Sequence, residues 1–129
     1  MISKWQEPHP SSTGYIMCTE DGETLVFARD DLAGVRGRVS ATIRTDGWSH
    51  IVGMYDGAKL MLSINGQVAD SAASMQRIPP MTTNFVIGSG NVNTTTNPFR
   101  GQIDNVAIYD HALTAEQAHA HFEAAGVAD

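Results

Sequence analysis

Cysteine is almost absent from this chain. Cys18 stands alone, so no intramolecular disulfide can form and stability must come from a packed core. It lies in the apolar run from Tyr15 to Cys18, where a thiol reads as a small, buried and inert hydrophobe. No apolar stretch approaches the ~20 residues needed to cross a bilayer, so no membrane insertion is expected. Positive charge is scarce as well: 8 Lys and Arg stand against 14 Asp and Glu, for a net charge of −6 and a pI near 5.2. Phosphate backbones select for the opposite field, which sets nucleic acid aside as a partner. The opening residues MISKWQEPHPSSTG hold one Lys and no apolar leader core, so no secretory signal is read there. A length of 129 residues suits one core and is too short for two domains of ordinary size, so 1–129 is read as a single domain.

What is present is strand. From Gly14 onward, short runs of β-branched and aromatic residues are punctuated by turn dipeptides, the pattern of a sandwich or barrel. Asp21-Gly22 separates two apolar runs and predicts a hairpin, because glycine accepts positive φ. In VRGRVSATIR the alternation is strict. Val35, Gly37, Val39, Ala41 and Ile43 face one way, while Arg36, Arg38, Ser40, Thr42 and Arg44 face the other. Asp46-Gly47, Asp56-Gly57 and Asn65-Gly66 divide the next stretch into a three-stranded meander. Pro79 and Pro80 exclude a central strand. A short strand NFVIGSG, the polar loop Asn91 to Pro98 and a last strand from Gly101 to Tyr109 follow. Thr114 with Gln117 then forms a capping box, Glu116 suits the first turn, Ala118 and Phe122 share a face, and Gly126 ends a short helix.

Chemistry-bearing residues are few. Among the carboxylates, Glu20, Asp21 and Glu23 flank a turn and read as solvated. His119 and His121 stand two apart on the helix, unlike an i, i+4 zinc pair. Arg36, Arg38 and Arg44 line one side of a strand in an otherwise acidic chain, where guanidinium forks could grip the carboxylates or sulfates of an acidic glycan. The competing expectation is a solvated face paired to acidic neighbours such as Asp30 and Asp31. Asn91 and Asn93 offer amide groups in the loop, and Trp5 offers an aromatic face for a sugar or a cover for an edge. Asp104, in the middle of the last strand, is open to two roles, an anchor accepting backbone N–H bonds or a metal ligand.

The ordered set of Gly47-Trp48-Ser49-His50, Tyr55-Asp56-Gly57, Ile64-Asn65-Gly66, and Gly101-x-Ile-Asp-x-x-x-Ile-Tyr109 followed by Ala112-Leu113-Thr114 and a helix resembles the laminin-G-like modules of the concanavalin A-like lectin/glucanase superfamily. The resemblance implies an all-β, antiparallel jelly-roll β-sandwich with a short C-terminal helix, used for binding glycans or proteins, outside the cell or at its surface. It places Trp48 at a core-packing position and Asp104 where a structural Ca2+ is often held. The Glu-x-Asp-x-(x)-Glu spacing of the superfamily's glucanases does not occur, so no enzyme activity is expected. The strands that usually precede Ile-Ser-Lys-Trp are wanting before Met1, which implies an unpaired edge and a homo-oligomer, in the first instance a dimer. Two functions follow as expectations: carbohydrate binding on the concave sheet through Arg36, Arg38, Arg44, Trp5, Asn91 and Asn93, or a protein-interaction or self-assembly module working through that edge.

Overall fold

A computed structural model describes residues 1–6, 13–30, 36–75, 78, 81–89 and 98–127. Strands β1 (Ile2–Gln6), β2 (Thr13–Glu20), β3 (Thr24–Asp30), β4 (Arg36–Thr42) and β8 (Val86–Ile87) form one antiparallel sheet in the order β4-β3-β2-β1-β8. Strands β5 (Ile51–Tyr55), β6 (Lys59–Ile64) and β7 (Gln67–Ala73) form a second in the order β5-β6-β7. The expected turns are there: Asp21 and Gly22 sit at φ 54 and 78, and Asn65 and Gly66 at φ 50 and 77. Asn65 and Gly66 form a two-residue hairpin turn whose double positive φ matches the twist of its strands. At the β5–β6 turn, the Asp56 carboxylate accepts the N–H groups of Ala58 (2.9 Å) and Lys59 (2.8 Å). Those bonds hold its pKa below the ordinary carboxylate range.

The sheets face each other across one core. Met17, Leu25 and Val39 from the larger sheet meet Leu60 and Leu62 from the smaller, with Phe27, Ala41, Ile51, Tyr55 and Ile64 around them. The alternation in β4 holds: Gly37 and Val39 are buried while Arg38 is exposed. On one side the sandwich is closed, because Asp70 of β7 accepts the backbone N–H of Ser40 in β4 at 3.0 Å. Asp70 pairs with Leu62 and Val68 with Ser63, so Ala69 is the extra residue of a bulge that turns β7 towards β4.

Helix α1 (Ala115–Ala125) packs on the far face of the smaller sheet. Gln117 N–H donates to the Thr114 hydroxyl (3.2 Å) and Thr114 N–H to the Gln117 side chain (2.9 Å), completing the capping box, and Gly126 at φ 64 closes the helix. Ala118 and Leu113 meet Met54, with Val52 and Met61 beside them.

Two expectations fail. The stretch from Gly101 to Tyr109 is not a strand. Asn105 stands at φ 52 and donates its N–H to the Asp104 carboxylate at 2.8 Å, a local bond that competes with any ladder. Trp48 is not in the core either: it is 50% exposed, just after the bend at 45–47 and three residues ahead of β5.

Candidate functional site

The arginine face and Trp5 do share one surface. Registers across β1, β2, β3 and β4 align Trp5, Gly14, Asp30 and Arg36 in one row, and Ser3, Ile16, Ala28 and Arg38 in the next. Yet Trp5 is only 8% exposed, so its ring is part of the packing and offers no stacking face. Arg38 forms a two-pronged pair with Glu20, at 2.9 and 2.7 Å, which makes its guanidinium still harder to deprotonate. The partner of Arg38 is Glu20 across the sheet, and Asp31 lies outside the described residues. Arg44 lies beyond the end of β4 and bonds Asp46 at 3.0 Å, so it is outside the strand that carries Arg36 and Arg38. Only the backbone of Arg36 is described, and Asn91 and Asn93 fall outside the described residues. Cys18 lies on this face too, and burial pushes its thiol pKa up, away from reactivity.

Calcium takes six to eight oxygens, and Asp104 offers one carboxylate towards such a set. Its carboxylate is exposed and bonded to its own neighbour, and among the described residues no three His, Cys, Asp or Glu side chains converge to hold a metal ion. Arg29 was not singled out in the sequence and is buried. It donates to the Ser74 hydroxyl at 2.9 Å, with its guanidinium carbon 3.8 Å from the centre of the Tyr55 ring. The alternation Leu25, Phe27, Arg29 carried that signal, since it puts all three on the core face.

The other surface is the open side of the sandwich. β4 lies against β6 and β7. Gly53 of β5 abuts Met17 of β2 and Phe27 of β3, where a Cβ would come within 2.8 and 2.9 Å of their side chains. Five strands therefore face three, and β1 and β8 have no described strand opposite them. The space beside β5 is about two strand widths, or ~9.5 Å. His50 directs both its N–H and its C=O at Asn65, so by antiparallel alternation the backbone groups of Ile51, Gly53 and Tyr55 point away from β6 into that space. The segment that failed to become a strand crosses the same side: Phe99 N–H donates to Gly88 C=O at 2.8 Å, and Leu113 packs on Met54. Between them Ile108 is 62% exposed, and Val106, Tyr109, Trp48 and Ile87 are also exposed apolar side chains.

Comparison with known proteins settles the lineage of this architecture. The sequence profile described as the concanavalin A-like lectin/glucanases superfamily (Laminin_G_3) matches residues 5–119. The chain belongs to this superfamily. Membership accounts for the two facing antiparallel sheets and points to a binding module. Among solved structures, the chain is similar to the crystal structure of an S-layer domain-containing protein from Clostridium thermocellum. The TM-score is 0.50 and the identity 14%, over 93% of this chain and 63% of that one. At that identity the likeness speaks of fold alone, and the chain spans less than two thirds of that structure's length. No curated protein matches. Among the described residues no helix is long and apolar enough to cross a membrane.

Proposed function

We propose that this superfamily member is a non-catalytic binding module that works by strand addition along the free edge of β5, its partner being a second copy of the chain. The observation that carries this is the pairing of an unfilled backbone edge with exposed apolar side chains on the same side of one fold. Both halves of such a contact occur on every copy: an edge that accepts a strand, and a segment, 102–109, rich in apolar side chains and without a ladder. A two-fold axis satisfies both reciprocally and closes the assembly as a dimer. Light scattering at increasing concentration is expected to show that dimer. Ile108→Lys adds charge at a position exposed in one copy, so it is expected to give a monomer with unchanged thermal stability. A wild-type protein that stays monomeric, or an Ile108→Lys variant that still dimerises, would overturn it.

A second reading, carbohydrate binding, has its own support. Trp48 offers half of its surface next to the Arg44–Asp46 pair, an aromatic face beside hydrogen-bonding groups of the sort that sugars need. Here a glycan array is expected to give signals that Trp48→Ala abolishes. Running it with calcium and again with a chelator tests the metal. A blank array from folded wild-type protein would count against a lectin.

A further inference from the structure

Four histidines, His50, His111, His119 and His121, gather where α1 meets the smaller sheet. The helix is pressed against the Asn65–Gly66 turn. A Cβ on Gly66 would come within 2.7 Å of His119 Nδ1 and 2.9 Å of the Phe122 ring, and His119 Nδ1 lies 3.3 Å from Gly66 C=O. Phe122 sits between two imidazoles, its ring centre 6.2 Å from that of His50 and 6.3 Å from that of His119. On the adjoining side of the helix, His121 faces Tyr109 at 5.9 Å. His50 is partly enclosed, and its Nδ1 is buried without a hydrogen-bond partner among the described residues.

We propose that this corner is an acid-sensitive latch: protonation of His50 lifts α1 off the Asn65–Gly66 turn and uncovers Val52, Met54 and Met61. A proton on His50 Nδ1 has no acceptor among the described residues while the helix is docked, and the neighbouring His121 adds to its cost. The surrounding charges do not compensate. Glu123 on α1 reaches His119 at 3.5 Å across an exposed i, i+4 pair worth little, and Asp110 on the preceding segment is bonded to His111 at 2.8 Å. The Asn65–Gly66 turn and the Trp48–Ser49 segment bring no charge. Burial first, and His121 second, push the His50 pKa below the ordinary histidine range. The docked form therefore resists the proton. Docking is at full strength above about pH 6.5 and is lost as the pH falls below it.

Methionine-methyl NMR tests it, with Met17 in the inter-sheet core as the internal reference. From about pH 7.5 to about pH 5, the range in which histidine titrates, Met54 and Met61 are expected to shift and become accessible to a soluble paramagnetic agent, while Met17 does not change. His50→Phe keeps an aromatic ring against Phe122 without a titratable group, and His121→Asn removes the repulsion. His121→Asn is expected to move the transition to lower pH, and His50→Phe to lose it. Should His50→Phe fail to fold, His121→Asn alone decides. Met54 and Met61 resonances that ignore pH, a Met17 signal that moves with them as in global unfolding, or an unaltered transition in the variants would each overturn the proposal.

Discussion

Leu60→Ala is expected to lower the midpoint of urea unfolding by roughly 1–5 M, from a loss of about 3–5 kcal/mol and a slope of about 1–3 kcal/mol per M. Leu60 is fully buried, at 0% exposure, on the inner face of the central strand of the smaller sheet. It fills the space that Gly37 leaves in β4, where a Cβ would come within 2.9 Å of Leu60 Cδ1. Removing three carbons there opens a cavity between the sheets, and neither sheet can close it without breaking the contacts of Met17, Leu25 and Val39. Domains of this size hold about 5–15 kcal/mol in all, so a large share of the stability rests on this side chain. Ile108→Ala, by contrast, removes similar volume from an exposed position and is expected to leave the midpoint of the monomer within about 0.5 kcal/mol. A Leu60→Ala protein as stable as Ile108→Ala would show that the inter-sheet core is not where the stability lies.

Gly14→Ala is expected to release β1. Gly14 sits at φ 127 in β2, directly opposite Trp5, in a conformation that residues with a Cβ rarely adopt. An added Cβ would overlap the carbonyl oxygen of Lys4 and stand 3.1 Å from Trp5 Cα. Both are backbone atoms of β1, so no side-chain rotation relieves the clash. Strain of about 1–3 kcal/mol adds to the loss of ladder bonds. The buried Trp5 then meets water, and its fluorescence moves to the red. Gly22→Ala is the control: its φ is 78 but nothing lies within 4 Å of the added carbon. It is expected to cost about 1 kcal/mol and leave Trp5 emission unchanged. Unshifted emission in Gly14→Ala would mean that β1 tolerates the insertion.

Local signals in the sequence carried far. The turns at Asp21-Gly22, Asp56-Gly57 and Asn65-Gly66 were legible because positive φ is a property of the residues themselves. The inward set of β4 was legible because side chains alternate, and the ends of α1 because Thr114, Gln117 and Gly126 satisfy backbone groups within reach. The resemblance to the superfamily rested on the order of these same elements, and the profile match over 5–119 agrees with it.

What the sequence left open depends on groups distant along the chain. Nothing near Arg38 says that its partner is Glu20, because a cross-sheet pair depends on the registers of β2, β3 and β4. Trp5 read as a candidate sugar platform and is buried over β2. Trp48 read as core and is exposed, since no described strand lies beside β5 to cover it. The stretch from Gly101 to Tyr109 has the composition of a strand but pairs with no described strand, and a strand exists only through its partner's hydrogen bonds. Amino-acid sequence alone thus determined the strands, turns, helix caps and core faces, which arise from backbone preference and side-chain period. Only the tertiary structure decided which edge is left free, which arginines are engaged and which histidines meet, because those depend on where the two sheets and the helix come to rest.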